Sequence, residues 1–136
     1  MPSGYSGRPL AAKIGLREGQ RAFASGMPAS VAAEIGAAMP GFRFADEAVE
    51  GIELAWIFTA SRLELDEALA RLRRLIAPAG SIWISWPKKA SKVPTDISED
   101  VVRELAFPKG LVDVKVCAVD EIWSGLKLVV RKALRS

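Results

Sequence analysis

Two short stretches hold most of the side chains in this sequence that could do chemistry. Lys88 and Lys89 come directly after the apolar segment 81–86, and Asp120 and Trp123 follow a segment of alternating valines. Lysine can bind a phosphate or carboxylate, aspartate can act as a general base or bind a ribose hydroxyl, and a tryptophan ring can stack on a ligand. Each also has a structural interpretation: a solvated loop for the lysines, a turn or ion pair for Asp120, and a lid over the sheet for the tryptophans.

The elements that must position these residues follow from the hydrophobic spacing. Strand composition and apolar alternation predict strands at residues 20–24, 42–44, 52–59, 81–86, 112–118 and 126–131. Helices are predicted to begin at Pro28, near Glu64, and at Asp96 or Ser98. Pro78 is expected to end the second helix, whose apolar face is formed by Leu65, Leu69, Leu72 and Ile76.

The predicted order of elements is β-α-β-β-α-β-α-β-β. Helices between strands imply parallel pairing, and a turn at residues 123–125 implies that the last two strands form an antiparallel hairpin. We therefore predict a three-layer α/β/α, Rossmann-like fold with a mostly parallel sheet, similar to a truncated class I methyltransferase fold. The 136 residues suffice for one core. Residues 1–19 are predicted to be an N-terminal arm and residues 20–136 a single α/β domain.

The predicted sheet also indicates where a ligand would bind. In open α/β sheets, ligands bind beyond the carboxyl ends of the parallel strands. The predicted strands bring several polar and aromatic residues to that edge, so we predict a ligand-binding site there. Its candidate residues are Ser25, Ser61, Arg62, Trp86, Lys88, Lys89, Asp120, Trp123 and Ser124. The position of these residues at the edge does not identify any of them as catalytic.

The composition of the chain limits the kinds of reaction and cofactor that its side chains can support. The sequence has no histidine and one cysteine, and its net charge is +3. The usual general base near neutral pH and the commonest transition-metal ligand are therefore absent, and no metal site is predicted. The turn after the first strand, residues 24–28, holds one glycine. The glycine fingerprint of a nucleotide or methyl-donor cofactor is missing, so we expect no cofactor. The single cysteine and the lack of a long apolar segment predict a cytoplasmic protein without membrane contact.

Three longer motifs resemble a known family. The stretches GYSGRPLAAKIGL, SWPKKASKVPTDISEDVVRELA and GLVDVKVCAVDEIWSGLKLVVR are similar to a bacterial family of unknown function (domain of unknown function three thousand and fifty-two). The resemblance covers nearly the whole chain and implies no established activity. It includes Tyr5, Ser6 and Gly7, an N-terminal motif that could fold over the site or form a packed or mobile terminus.

These observations support three functional hypotheses. The leading one is a non-catalytic module that binds a ligand or partner at the strand ends, because the histidine and the glycine fingerprint are missing. An enzyme is therefore not the leading expectation. The alternatives are a group-transfer enzyme, with Lys88 or Lys89 as electrophile and Asp120 as base, and a nucleic-acid-associated basic protein. A small anionic ligand or a protein partner is expected, and the scarcity of aromatic residues argues against nucleic acid.

Overall fold

The computed structural model describes residues 9–135, and their strands form one five-stranded sheet. The helices are α1 Leu10–Ile14, α2 Ala29–Ala38, α3 Arg62–Leu75 and α4 Glu99–Ala106. The strands are β1 Ala22–Ser25, β2 Ile52–Phe58, β3 Ile76–Ser85, β4 Leu111–Ala118 and β5 Ser124–Val130. Single 3₁₀ turns occur at Lys89–Ser91, Phe107–Lys109 and Lys132–Leu134. Within residues 9–135, no helix is long and apolar enough to cross a membrane.

The sheet has the order β1-β2-β3-β5-β4 and contains both pairing directions. β1, β2 and β3 are parallel, whereas β5 is antiparallel to β3 and to β4. Parallel neighbours need a connection that returns the chain to the same end of the sheet. α2 provides this connection between β1 and β2, and α3 provides it between β2 and β3. The ends of β1, β2 and β3 therefore lie along one edge, called the carboxyl edge below.

Alternate residues of each strand pack into one of two apolar clusters. On β2, Ala55 and Ile57 belong to a cluster with the buried residues of α3 and α4, called the α3–α4 cluster. Leu54 and Trp56 belong to a second cluster with α1 and α2, called the α1–α2 cluster. The alternation follows from strand geometry, which points successive side chains to opposite faces. The nearly continuous apolar sequence of β2 is thus explained by burial on both sides.

Two buried tryptophans form hydrogen bonds inside the core, and one of them joins the sheet to α1. Trp56 and Trp83 are both 0% exposed, so each indole N–H needs an acceptor inside the protein. Trp56 Nε1 donates to Ser85 Oγ at 2.9 Å, and Trp83 Nε1 donates to the carbonyl of Ile14 at 2.9 Å. α1 is held by this bond and by Leu10, which is 2% exposed. α1 is therefore part of the core, and it lies within residues 1–19, for which the sequence predicts an N-terminal arm.

The junction of α3 and β3 differs from the prediction. Three residues of the predicted apolar face, Leu65, Leu69 and Leu72, are buried on α3, and the fourth, Ile76, belongs to β3. The helix nevertheless ends at Leu75 rather than Pro78, because β3 already begins at Ile76, which pairs with Ile52 of β2. The register then shifts, and Gly80 lies so close to β2 that an added Cβ would meet its backbone. A bulge of this kind accommodates extra residues in a strand.

Residues 42–44 do not form the predicted strand. A single parallel bridge pairs Ala45 with Phe23 of β1. The rings of Phe42 and Phe44 meet edge to face, with centroids 5.0 Å apart, and both pack against the α1–α2 cluster. The alternating aromatic residues therefore reflect the anchoring of a connecting segment rather than a strand.

β4 is an edge strand whose alternation changes within the strand. Its register with β5 shifts between Asp113 and Lys115. Such a bulge reverses the side on which the following residues lie. Val114 and Val116 are 56% and 53% exposed, although the sequence pattern places them on one apolar face with Val112. The predicted apolar face of β4 is therefore only partly formed.

Candidate ligand site at the carboxyl edge

A cleft of about 290 Å³ opens at the carboxyl edge between β1, β2 and α3. Its walls come from the end of β1, the end of β2 and residues 64–71 of α3, and they consist of Ser25, Ile57, Phe58, Thr59, Glu64, Glu67, Ala68 and Arg71. The three charged residues lie at positions i, i+3 and i+7 of the helix, so α3 presents them on one face. The parallel β2–α3 connection is what brings this face over the end of β1.

Hydrogen bonds hold the segment that leads from β2 into α3. The side chain of Thr59 is buried, and its hydroxyl donates to Glu64 Oε1 at 2.9 Å. The same hydroxyl accepts the N–H of Ser61 at 3.2 Å. Ser61 is the N-cap of α3, since its Oγ accepts the N–H of Glu64 at 3.2 Å. The carboxylate of Glu64 is thereby fixed against the end of β2.

The turn after β1 depends on one glycine. Gly26 has φ +71°, a left-handed value that side chains other than glycine rarely adopt. A Cβ at this position would overlap the carbonyl oxygen of Phe58 at the end of β2. The backbone of the turn therefore passes directly against β2, next to Ser25 in the cleft wall. A single glycine suffices for this close approach, whereas the fingerprint sought in the sequence contains three.

The cleft carries groups of both charges. Glu64 and Glu67 supply carboxylates and Arg71 supplies a guanidinium, and all three residues are exposed. The guanidinium carbon of Arg71 lies 6.0 Å from the ring centroid of Phe23, a contact that holds the side chain towards β1. Carboxylates accept hydrogen bonds from ammonium and hydroxyl groups, and a guanidinium can hold a carboxylate through two parallel bonds. The set therefore suits a ligand with an amino-acid-like head and hydroxyl groups.

Several predicted site residues extend the sheet instead of lining this cleft. The carbonyl of Trp86 accepts the N–H of Ser124 at 3.0 Å and its hydroxyl at 2.8 Å. The N–H of Lys88 donates to the carbonyl of Ile122 at 2.7 Å. The chain after β3 thus continues to pair with the chain before β5. Ser124 starts β5 rather than closing the predicted turn at residues 123–125.

Asp120 is engaged by the turn between β4 and β5. Its Oδ1 accepts the N–H groups of Ile122 and Trp123 at 2.8 and 2.7 Å. This is the turn chemistry that formed the structural interpretation of Asp120 in the sequence. The ring of Trp123 meets that of Phe58 edge to face, with centroids 5.3 Å apart. Trp123 therefore supports one residue of the cleft wall from the α1–α2 side.

The start of α3 is also bound to the segment before α4. The N–H of Arg62 donates to Asp96 Oδ1 at 2.6 Å, and its guanidinium lies 3.5 Å from a carboxylate oxygen of Glu104. Asp96 thus accepts a backbone N–H at the start of α3, while Ser98 caps α4 by accepting the N–H of Val101 at 3.3 Å. These bonds give Arg62 a structural partner on each side.

The candidate residues therefore separate into groups. Ser25 lines the cleft and Ser61 caps the helix beside it. Lys89 is exposed at the start of a 3₁₀ turn, away from the cleft walls. Outside the described residues lie Tyr5, Ser6 and Gly7. Within residues 9–135, no group of three or more histidine, cysteine, aspartate or glutamate side chains is arranged to hold a metal ion.

Sequence reasoning missed the charged residues of α3. The positions of Glu64, Glu67 and Arg71 along the helix also suit interaction with the helix dipole and i,i+4 pairing, so their charges alone do not indicate a site. The signal that could have found them is their common face on a helix that directly follows a central strand. Such a helix begins at the carboxyl edge, where α/β sheets bind ligands.

Solved structures that share this fold include methyltransferases. The mitomycin 7-O-methyltransferase MmcR matches with a TM-score of 0.64 and 12% identity, over 90% of this chain and 52% of that chain. This chain has a methyltransferase-like fold. LepI in complex with SAM matches with a TM-score of 0.54 and 13% identity, over 90% of this chain and 39% of that chain. Aeropyrum pernix fibrillarin with natively bound S-adenosyl-L-methionine matches with a TM-score of 0.53 and 15% identity, over 88% of this chain and 73% of that chain.

The similarity is structural and partial. No family model matches the chain, and no curated protein matches it in sequence. The chain spans 39% of the length of LepI and 52% of that of MmcR. This chain has an α/β fold with a five-stranded mixed sheet, and its likeness to these structures is one of fold.

The comparisons correct two expectations drawn from the sequence. A non-catalytic binding module is wrong as the leading hypothesis, because the solved structures with this fold include several methyltransferases. The expectation that no cofactor is implied is wrong as well, because the matched structures include complexes with SAM and SAH. The error came from treating the number of glycines as decisive, whereas Gly26 alone provides the close backbone approach at the end of β1.

Proposed function

We propose that this chain is a methyl-donor-binding domain of the methyltransferase type, with S-adenosylmethionine in the carboxyl-edge cleft. The observation that carries the proposal is the position of the cleft. It lies where α/β sheets bind ligands, in a chain whose fold matches a methyltransferase over 90% of its length. The cleft combines hydroxyl, carboxylate and guanidinium groups at that place.

The residues of the cleft fit the donor chemically. S-adenosylmethionine has an ammonium, a carboxylate, ribose hydroxyls and a positively charged sulfonium. Glu64 and Glu67 can accept hydrogen bonds from the ammonium or the ribose, and Arg71 can hold the carboxylate. Both glutamates also favour a nearby positive charge. The cleft has a volume of about 290 Å³, close to the smallest volumes of ligand pockets, which run from roughly 300 to 1,000 Å³. It therefore has room for part of the donor.

Each residue has a defined task in this proposal. When bound, the donor supplies an electrophilic methyl group for transfer to a nucleophilic acceptor. Ser25 and Thr59 orient the ligand at the ends of β1 and β2, and Glu64 stays in place through its bond with Thr59. The sequence has no histidine, so among the residues that line the cleft the carboxylates can take a proton released by the acceptor. Glu67 is the cleft carboxylate that is not bonded to Thr59, and we assign it this role.

Donor binding and methyl transfer are separate parts of the proposal, because a fold does not determine a reaction. A pericyclic reaction enzyme also matches this chain, with a TM-score of 0.54 and 13% identity over 90% of the chain and 39% of that enzyme. Binding of the donor therefore has to be measured before any acceptor is sought.

The decisive experiment is calorimetric titration with S-adenosylmethionine and S-adenosylhomocysteine, supported by melting temperatures. A ligand that binds the native state raises the melting temperature by linkage. We expect Arg71→Ala and Glu67→Gln to weaken binding roughly 10- to 100-fold, the effect of losing one charged hydrogen bond. The matched control is Arg74→Ala, an exposed arginine of the same helix that does not line the cleft.

Three results would count against the proposal. Absence of binding by both compounds would reject the donor itself. Equal loss of affinity in Arg71→Ala and Arg74→Ala would place the binding site elsewhere. Binding that is unchanged in Arg71→Ala and in Glu67→Gln would reject the assignment of the cleft. The melting temperatures of the free variants show whether any loss of affinity arises from unfolding, because all three side chains are exposed.

A finer description belongs to the same proposal. We propose a three-layer α/β/α arrangement with an antiparallel C-terminal hairpin, a truncated class I methyltransferase fold. Its support is that α3 and α4 contribute to one apolar cluster and α1 and α2 to the other. Membership of the family of unknown function, a cytoplasmic location and a small anionic or protein partner are further proposals, which rest on the sequence.

A further inference from the structure

A second polar cleft lies on the α1–α2 side of the sheet, away from the carboxyl edge. Its volume is about 320 Å³, and its polar lining consists of Arg17, Gln20, Glu53, Ser81 and Lys127. Glu53 and Ile57, which line the two different clefts, are four residues apart on β2, roughly 13 Å along the strand. The second cleft is therefore separate from the proposed methyl-donor site.

Three cations that form no ion pair within residues 9–135 lie in or beside this cleft. Lys127 of β5 lies directly opposite Lys115 of β4 in the sheet. Lys115 Nζ reaches α1, where it donates to the carbonyl of Lys13 at 3.4 Å. Among the ion pairs within residues 9–135, none includes Arg17, Lys115 or Lys127. Like charges directly opposite each other on neighbouring strands are destabilising, so an anion bound beside them would stabilise this arrangement.

The loop after α1 places Arg17 across the cleft from the strands. Gln20 stabilises the loop, because its Oε1 accepts the N–H of Arg17 at 3.3 Å and its Nε2 donates to the carbonyl of Gly15 at 3.5 Å. Glu53, the acidic residue of the lining, accepts the N–H of Arg21 at 2.8 Å. One of its oxygens is thus used by the backbone, and the other remains able to accept from a hydroxyl.

We infer that this second cleft binds a small hydroxylated molecule through an oxyanion, a phosphate or a carboxylate. Arg17 and Lys127 contact the oxyanion directly, and Lys115 adds positive charge behind Lys127. A guanidinium presents two parallel donors to an oxyanion, and a lysine acts as a point charge. Glu53 accepts from a hydroxyl of the same ligand.

The only cysteine of the chain provides a reporter for this site. Cys117 lies two residues beyond Lys115 on the same strand and is half-buried. Burial raises the pKa of its thiol, and the charges of Lys13, Lys115 and Lys88 oppose this effect. An anion bound to Lys127 and Lys115 would cancel part of the opposing charge. The thiolate would become rarer and thiol alkylation slower.

The test is a titration of the full chain with inorganic phosphate at constant ionic strength. We expect a saturable rise in melting temperature and a slower alkylation of Cys117. Lys127→Gln should melt at a higher temperature than the parent protein without phosphate, because the like-charge pair is gone, and should lose most of the phosphate response. The matched control is Lys132→Gln, an exposed lysine outside the cleft, which should respond as the parent does. Acetate in a parallel titration distinguishes a carboxylate site from a phosphate site.

The control is essential because phosphate also stabilises proteins non-specifically. Equal responses of the parent, Lys127→Gln and Lys132→Gln would overturn the inference, as would a response that does not saturate. If Lys127→Gln does not fold, Arg17→Gln serves as the test variant. A rise in its melting temperature with phosphate equal to that of the parent would overturn the inference. No methyl donor is present in these measurements, so their outcome is independent of the function proposed for the carboxyl edge.

Discussion

The turn after β1 allows a quantitative test of how the carboxyl edge is built. Gly26→Ala places a Cβ on left-handed backbone at φ +71°, where it overlaps the carbonyl oxygen of Phe58. The left-handed conformation costs an alanine about 1–2 kcal/mol. The lower entropy of the unfolded chain offsets about 0.4–1 kcal/mol of this. The overlap with Phe58 also displaces the turn from β2, which adds to the net cost of the left-handed backbone. We expect the free energy of unfolding to fall by about 2–3 kcal/mol in total.

Two other glycines separate the contributions. Gly19 has φ +77°, but a Cβ there would meet nothing within 4 Å, so Gly19→Ala carries the backbone strain alone. We expect that variant to lose about 1 kcal/mol or less. Gly36 lies inside α2, also with nothing within 4 Å. Gly36→Ala should therefore stabilise the protein by about 0.5–1 kcal/mol, the usual gain of alanine over glycine in a helix.

The assay is equilibrium unfolding in urea, followed by the fluorescence of the buried tryptophans. Changes in midpoint at constant slope give the differences in free energy of unfolding. The expected order of stability is Gly36→Ala, parent, Gly19→Ala and Gly26→Ala. A Gly26→Ala protein as stable as Gly19→Ala would refute the close approach of the turn to Phe58. Donor binding should be lost in Gly26→Ala and kept in Gly19→Ala, because only the former displaces the cleft wall.

Three further predictions concern other parts of the chain. Asp120→Ala should lose about 1 kcal/mol of stability because two N–H groups lose their acceptor, while Asp120→Asn keeps an Oδ1 and should match the parent in urea. A stable Asp120→Asn protein without any catalytic turnover would instead support the general-base role. Trp83→Phe should cost about 2 kcal/mol or more in the same assay, because the carbonyl of Ile14 is left buried without its donor. Burial raises the pKa of Cys117, so the folded protein holds the thiol proton more tightly than the unfolded chain. Stability should therefore fall as pH rises above the ordinary thiol pKa, and a Cys117→Ala variant that shows the same fall between pH 8 and 10, roughly the range of thiol titration, would contradict this.

The elements that sequence analysis predicted well are those whose signal is local. The three buried leucines of α3 follow from helical spacing, and Ser98 at the start of α4 follows from capping chemistry. Parallel pairing of β1, β2 and β3 also follows from the alternation of strands and helices. The predicted edge is therefore present, with Ser25 in its cleft.

Predictions failed where a distant segment determined the outcome. Ile76 has helical spacing with Leu72, but pairing with Ile52 draws it into β3. The valines of β4 alternate regularly, but the register with β5 shifts and exposes two of them. Neither pairing can be deduced from a local window, because register depends on the partner strand.

The amino-acid sequence alone determined an α/β fold, the capped amphipathic helix after β2 and the absence of histidine chemistry. These depend on periodicity, capping and composition, which involve neighbours within about one or two helical turns. Only the tertiary structure decided that Glu67 and Arg71 line the same cleft as Ser25, and that Lys115 lies opposite Lys127 in the sheet. The direction of the crossover connections brings Ser25 and the residues of α3 to one edge. The register between β4 and β5 pairs the two lysines. The candidate sites of this protein are therefore properties of the folded sheet rather than of any motif in its sequence.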